Sequence, residues 1–224
     1  MEGIIFDFNG TMFFDQPIQE QAWRGFLKDL TGRDATDAEF QEYIHGRSIE
    51  ATLSYFLGRD VPREEAAALE EQKEYVYRTL CQKSSIFRLA NGLPQFLDEL
   101  SRRKILVNIA TASGHTNVRF FFGQLALGRW FDLRRVVLND GTFPCKPAPD
   151  IFLRAAEKLG LPPAGCAIFE DSRAGIQSAC RAGAGLVVGV SSMLPAEELY
   201  TLGANAVISD YRDLPELLRL LGCC

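Results

Sequence analysis

The chain opens with a short run of apolar positions that ends at an acidic residue. Gly3 to Phe6 carry no polar side chain, and Asp7 follows directly. An uninterrupted apolar run of this length is typical of a strand buried on both faces of a parallel sheet, and Asn9-Gly10 then indicates a chain turn. The pattern predicts that Asp7 lies at the carboxyl end of a central strand, where open α/β sheets bind their ligands.

Between residues 16 and 83 the apolar positions recur at helical spacing instead. Thr36 and Glu39 form the pattern of a capping box, and Gly32 is a helix stop. Since no strand-like segment interrupts this stretch, we expect a block of about four helices. Its apolar positions are Trp23, Phe26, Leu27, Leu30, Phe40, Tyr43, Ile44, Ile49, Leu53 and Phe56.

Beyond residue 84 strand-like runs alternate with helical ones, which indicates βαβ units and a parallel sheet. We therefore predict an α/β fold whose sheet-forming core comprises residues 1–15 and 84–224, with residues 16–83 inserted as a helical domain. The predicted strands are 105–111, 136–138, 167–169, 184–190 and 206–208. The predicted helices are 93–103, 118–127, 150–159 and 214–221, and one more that ends at 182.

The composition excludes some classes of binding partner but says little more about the fold. A chain of 224 residues accommodates one sizeable α/β domain with an insertion, and an apolar fraction of 47% is ordinary for a globular protein. The net charge of −5 argues against nucleic-acid and acidic-membrane partners, because both require a basic face. A phosphorylated small molecule stays compatible with this charge, since one local group of donors suffices to bind it.

The six cysteines show neither CxxC nor Cys/His metal spacing. Cys166 and Cys180 lie in apolar surroundings and are expected to be small core residues. Reduced thiols fit a reducing compartment. No apolar run approaches the length of a membrane span, and Met1 to Phe6 is too short for a signal sequence. We expect a cytoplasmic protein and infer no obligatory protein partner.

Four polar motifs fall at strand ends or helix starts of the predicted sheet. They are Asp7, Thr111 in Ala-Thr-Ala-Ser, Lys146 in Cys-Lys-Pro-Ala-Pro-Asp, and the pair Glu170-Asp171. Each alone has a structural explanation, because the threonine and the acids can cap helices and the lysine can be a solvated charge. Their joint order is more specific, since the carboxyl ends of parallel strands meet at one edge of the sheet.

Together these residues suit phosphoryl transfer, with Asp7 as a candidate nucleophile. Three carboxylates at one edge repel each other unless a cation is present. Oxygen ligands without His or Cys select Mg²⁺, which lets an anionic nucleophile approach an anionic phosphate. Thr111 offers a hydroxyl donor to phosphoryl oxygens, and Lys146 adds positive charge where negative charge gathers in the transition state.

The four motifs in this order resemble the haloacid dehalogenase superfamily over nearly the whole chain. The segments 146–152 (KPAPDIF) and 170–175 (EDSRAG) closely resemble the sequence motifs of its β-phosphoglucomutase-like branch. The helical insertion resembles the cap of that branch. The resemblance implies a Rossmann-like parallel-sheet core with an inserted all-helical cap domain. It also implies a mobile cap that closes over the substrate and excludes water.

The resemblance further implies roles for single residues. Asp7 would form an aspartyl-phosphate intermediate. Mg²⁺ would be held by Asp7, Asp171 and the backbone oxygen of Asn9, with Glu170 in support. Phosphate contacts would come from Thr111, Lys146 and the backbone at Ala112.

Three positions depart from the family pattern. Asn9 stands where its phosphatases and mutases carry a second aspartate as general acid/base, and an amide does not exchange that proton. Such help is worth ~10²–10⁴ in rate. Gln19 is at about the place of a mutase histidine, and Ile49 replaces the arginine that would hold a distal phosphate. Arg47 is either a substitute from a shifted position or a solvated surface arginine.

We therefore predict a Mg²⁺-dependent phosphatase that acts on a small phosphorylated metabolite, a class that includes sugar phosphates. The candidate substrate-binding residues outside the core are Gln19 and Arg47. One alternative is a sugar-phosphate mutase, which Gln19 and Ile49 disfavour. Another is a degenerate member that binds a phosphorylated ligand with little turnover, which Asn9 favours and the intact Asp7 opposes. The sequence identifies neither the substrate nor the oligomeric state.

Overall fold

The computed structural model describes residues 1–44 and 47–222, apart from the side chain of Gln41. Its contacts divide the chain into two compact units. The first unit is Met1–Phe14 with Arg88–Cys224, and the second is Asp15–Phe87. The limits predicted from the sequence lie after residue 15 and before residue 84.

The first unit is built on a six-stranded sheet in which every neighbouring pair of strands is parallel. The strands are β1 (Gly3–Phe6), β2 (Leu106–Thr111), β3 (Val137–Leu138), β4 (Cys166–Glu170), β5 (Leu186–Val190) and β6 (Ala206–Ile208). Their order is β3-β2-β1-β4-β5-β6. The chain runs outward from β1 to one edge and then restarts with β4 on the other side of β1, which makes the β1/β4 boundary the topological switch point.

The described residues form ten α-helices, of which the first four belong to the second unit. These four are α1 (Gln16–Thr31), α2 (Asp37–Glu39), α3 (Ile49–Leu57) and α4 (Arg63–Lys83). The helices of the first unit are α5 (Leu93–Arg102), α6 (His115–Gln124), α7 (Asp150–Leu159), α8 (Arg173–Arg181), α9 (Ala196–Thr201) and α10 (Leu214–Leu220). The α/β prediction with a helical insertion after the first strand is therefore confirmed.

Strand β1 has the fully buried character that its apolar run predicts. Ile4, Ile5 and Phe6 expose none of their surface, because β1 lies in the sheet between β2 and β4. Phe6 is in register with Ile109 on one side and with Phe169 on the other. Burial of each such side chain contributes about 1.5–3 kcal/mol relative to an exposed position, so the strand that leads into Asp7 is firmly held.

In the second unit the predicted capping signals are confirmed. The Thr36 hydroxyl accepts from the Glu39 amide, and the Glu39 carboxylate accepts from the Thr36 amide. Gly32 ends α1 in the left-handed conformation. Phe40–Ile44 form a turn of π-helix, which the sequence pattern did not predict. The hydrophobic core of this unit consists of the buried residues Phe26, Leu27, Ala35, Phe40, Ile44, Leu53, Phe56, Val61 and Ala66.

One cysteine differs from expectation. Cys166 is fully buried, as predicted, but Cys180 is exposed at the end of α8, where its thiol lies 3.5 Å from the Gly203 carbonyl oxygen. The apolar neighbours of Cys180 in sequence face inward, and the helical period turns the cysteine outward. Among the described helices, none is long and apolar enough to cross a membrane.

Candidate active site

The predicted site residues of the first unit gather at the carboxyl ends of the central strands. Asp7 follows β1, Thr111 ends β2, and Glu170 ends β4 with Asp171 directly after it. The Asp7 amide donates to the Phe169 carbonyl and thereby continues the β1–β4 pairing by one residue. The cluster thus lies beside the switch point of the sheet, the usual ligand position in doubly wound folds.

Lys146 is the charge partner of two of these acids. Its ammonium donates to Asp7 Oδ1 at 2.6 Å and to Glu170 Oε1 at 2.7 Å, and its side chain is only 9% exposed. Burial alone would lower the pKa of Lys146, but the attraction of Asp7 and Glu170 outweighs it and raises that pKa. Lys146 is therefore protonated at neutral pH and fixes one oxygen of Asp7.

Asp171 is held by the loop that follows Asp7. The Thr11 hydroxyl donates to Asp171 Oδ1 at 3.0 Å. Gly10 has φ +79°, and a Cβ at this position would come within 2.1 Å of Asp171 Oδ2. A glycine is therefore required both for the turn and for the close approach of the carboxylate to the main chain.

Glu170 binds donors on both of its oxygens. Oε1 accepts from Lys146, and Oε2 accepts from the Ser172 amide at 2.8 Å and from the Ser172 hydroxyl at 3.0 Å. Ser172 in turn caps α8 by accepting from the Gly175 amide. Glu170 is thus the residue that orients Lys146 toward Asp7.

The acids of this cluster have the chemistry of a divalent cation site. Asp7, Glu170 and Asp171 outnumber Lys146 by two charges when all are ionised. Burial, followed by the repulsion of Glu170 and Asp7, raises the pKa of Asp171 well above its usual range. No group of three or more His, Cys, Asp and Glu side chains in the described residues is placed to share a metal ion. A metal here would need oxygen ligands in addition to these side chains, which suits Mg²⁺, since Mg²⁺ usually keeps several waters and accepts phosphate oxygens.

The other side of the site is formed by the β2 end. Thr111 is buried, and its hydroxyl accepts from the Ser113 amide at 3.1 Å, while Ala112 between them is exposed. The Ser113 hydroxyl donates to Asn9 Oδ1 at 2.8 Å. The Asn9 carboxamide is thus held by the loop that carries the predicted phosphate donors.

The predicted substrate residues Gln19 and Arg47 belong to the second unit and are described within it. Gln19 donates to Asp15 Oδ2 at 3.1 Å and accepts from Lys73 at 3.4 Å. The hydroxyl of buried Tyr77 donates to the same Asp15 oxygen at 2.6 Å. Arg47 is exposed and donates to the Glu42 carbonyl, and the preceding Gly46 of its loop lies outside the described residues.

Four residues of the site were missed from sequence. Thr11, Ser113 and Ser172 each lie within two residues of a predicted site residue, so their position in the sequence points to a role in the site. No feature of the sequence around Tyr211 points to such a role. Its hydroxyl donates to the Thr11 carbonyl at 3.2 Å from a fully buried ring. Burial and then the charges of nearby acids raise its pKa, which keeps it a donor.

A doubly wound sheet that gathers a lysine, a threonine and three carboxylates at its switch point is suited to hydrolysis of an anionic ester. The chain belongs to the haloacid dehalogenase-like hydrolases, because the model of that family matches residues 1–183. Within the family it lies in subfamily IA, close to the β-phosphoglucomutase branch. The chain is therefore an enzyme, and its family comprises hydrolases that include phosphatases.

Individual relatives match the chain over almost its whole length. A solved structure of a family IA hydrolase from Entamoeba histolytica has a TM-score of 0.92 and 36% identity, and covers 99% of this chain and 100% of the other. A β-phosphoglucomutase of Bacillus subtilis is 29% identical, with 96% of this chain and 92% of the relative covered. A phosphorylated carbohydrates phosphatase of Thermotoga maritima is 25% identical, with 99% and 100% covered.

Proposed function

We propose that this chain is a Mg²⁺-dependent phosphatase of a small phosphorylated sugar and that it works through an aspartyl phosphate at Asp7. The observation that carries the proposal is the contact of the Lys146 ammonium with Asp7 Oδ1 at 2.6 Å, which orients the carboxylate at the switch point. The name of the Thermotoga relative, a phosphatase of phosphorylated carbohydrates, supports the substrate class.

The reaction would proceed in two steps. First, a carboxylate oxygen of Asp7 attacks phosphorus, the ester P–O bond breaks, and the sugar oxygen leaves with the electron pair and takes up a proton. Second, water attacks the acyl phosphate, loses a proton, and releases inorganic phosphate while the Asp7 carboxylate is restored. Splitting the transfer into two displacements lets one buried carboxylate serve as nucleophile and leaving group in turn.

The surrounding residues have separate tasks in these steps. Lys146 opposes the negative charge that gathers between Asp7 and the phosphoryl group, and Glu170 keeps its ammonium in place. Thr111 and the backbone at Ala112 would bind phosphoryl oxygens. Asp7, Asp171 and the Asn9 carbonyl would hold Mg²⁺, which would supply positive charge that attracts the phosphate.

Asn9 supports a second candidate, a protein that binds its phosphorylated ligand and turns it over slowly. The Ser113 hydroxyl holds the Asn9 amide oxygen at 2.8 Å, and an amide orients a water molecule or a leaving oxygen without exchanging a proton. A sugar-phosphate mutase, suggested by the name of the Bacillus relative, is a further alternative that Gln19 and Ile49 disfavour.

A panel of phosphorylated sugars separates these functions. Purified protein is incubated with each ester with and without Mg²⁺, and both inorganic phosphate and isomerised sugar phosphate are measured. A phosphatase releases phosphate only with Mg²⁺, and Asp7→Asn abolishes the release. Accumulation of an isomerised ester would favour the mutase. Tight binding with neither product would favour the slow binder and contradict the phosphatase.

A further inference from the structure

Tyr211 lies in the segment between β6 and α10, remote in sequence from every residue of the acidic cluster. Its ring packs in an aromatic cluster with Phe6, Phe96 and Phe169, at centroid distances of 6.3, 5.9 and 5.8 Å. Phe6 directly precedes Asp7. Phe169 precedes the Glu170-Asp171 pair. The tyrosine ring is therefore in contact with the side chains that lead into both acidic positions.

The Tyr211 hydroxyl reaches past this cluster to the loop that follows Asp7. It donates to the Thr11 carbonyl oxygen at 3.2 Å, and both groups are buried. The side chain of the same threonine donates to Asp171 Oδ1 at 3.0 Å. One residue, Thr11, is thus bound through its main chain by Tyr211 and through its side chain to Asp171.

The backbone at Tyr211 is fixed by the turn before α5. The Tyr211 amide donates to the Asn91 carbonyl at 2.9 Å. A Cβ at Gly92 would come within 2.3 Å of the Tyr211 carbonyl, so the two segments meet backbone to backbone. In the same turn, the Ala90 amide donates to the Met12 carbonyl at 2.8 Å. The carbonyls of Thr11 and Met12 are therefore bound by two segments that are themselves hydrogen-bonded to each other.

We propose that Tyr211 is a positioning residue of the active site, whose hydroxyl fixes the Thr11 main chain so that Thr11 can hold Asp171 in place. This inference rests on the proposed function for its catalytic consequence, although the positioning itself does not require it. The hydroxyl acts through the Thr11 carbonyl, to which it donates at 3.2 Å. Its loss leaves the buried Thr11 carbonyl without this donor and gives the loop freedom to move, which disturbs the orientation of Asp171.

The variant Tyr211→Phe removes the hydroxyl and retains the ring. We expect faster amide hydrogen exchange in a peptide covering residues 8–13 of the metal-free protein. The Mg²⁺ concentration at the midpoint of a calorimetric binding titration should increase roughly two- to tenfold, the effect of one neutral hydrogen bond. With a substrate from the sugar-phosphate panel, kcat should fall and KM should stay unchanged, because the sugar contacts are not altered.

Phe96→Leu is the matched control, because it loosens the same aromatic cluster without touching the Thr11 carbonyl. It should lower Tm while the Mg²⁺ midpoint and the exchange of residues 8–13 stay as in the wild type. The proposal is overturned if Tyr211→Phe leaves both quantities unchanged, or if Phe96→Leu shifts them equally. If the wild type shows no Mg²⁺ response at all, the proposed function fails, and the exchange comparison alone decides the positioning role.

Discussion

Replacing Asn9 by aspartate should accelerate the enzyme. In the present chain the Asn9 carboxamide oxygen accepts from Ser113 at 2.8 Å, and a carboxylate of nearly the same shape can accept the same bond. The new group would gain the ability to protonate the leaving oxygen and to deprotonate the attacking water. General acid–base help of ~10²–10⁴ in rate corresponds to about 3–5 kcal/mol of activation free energy.

The gain in rate is opposed by electrostatic repulsion between the new carboxylate and the acids already in the site. As a scale for the cost of a further negative charge, two like charges about 6 Å apart repel by about 3 kcal/mol at an effective dielectric constant of about 20. That repulsion raises the pKa of the new carboxyl group toward the range in which a group acts as both acid and base near neutral pH. The Ser113 hydroxyl and bound Mg²⁺ offset part of the repulsion. We therefore expect kcat/KM to rise about tenfold for Asn9→Asp.

The assay compares kcat/KM for phosphate release by wild-type protein, Asn9→Asp and the control Asn9→Ala on one ester. The alanine variant removes the amide without adding a proton carrier and should show no rise. Because Asn9-Gly10 is prone to deamidation, peptide mass must show that the wild-type sample contains no aspartate at this position. An unchanged or lower kcat/KM for Asn9→Asp would mean that another group already carries the proton, and would refute the reasoning.

Three further predictions follow from the contacts of the first and second units. Lys146→Met should lower the free energy of unfolding in urea by about 3–5 kcal/mol, because it leaves two buried carboxylates without their cation; an unchanged midpoint would contradict the buried ion pair. Asp171→Ala should remove most of the rise in Tm that Mg²⁺ gives by binding the folded state, and a full response would place the metal elsewhere. Burial raises the pKa of the Cys81 thiol to about 12. At pH 8 a thiol reagent should therefore modify exposed Cys145 quickly and Cys81 only after urea is added. Equal modification rates for the two cysteines in the absence of urea would be inconsistent with this burial.

The elements with a clear hydrophobic period were predicted closely from the sequence. The helix at 150–159 and the strand at 206–208 have the limits that the structure gives. Helix α6 begins at His115 rather than at 118, because its first turn is polar and carries no apolar signal. Helix α9 has six residues, too few to establish a period, and was not predicted.

For the site, the sequence predicts which strand ends carry the candidate residues but not the contacts that hold those residues. Lys146 meets Asp7 across 139 positions and Ser113 meets Asn9 across 104, so only the strand order brings them together. Tyr211 reaches Thr11 across 200 positions. Such pairs carry no local pattern, because a hydroxyl bonded to a distant carbonyl leaves no periodicity in the sequence of either segment.

The identity of the nucleophile is the claim on which the mechanism depends, and a structure of the protein with Mg²⁺ and beryllium fluoride tests it most directly. Beryllium fluoride imitates the phosphoryl group of an acyl phosphate. The account predicts that beryllium binds a carboxylate oxygen of Asp7, with its fluorines near Lys146 and Thr111. Beryllium fluoride bound at any other side chain of the Mg²⁺-saturated protein would contradict it.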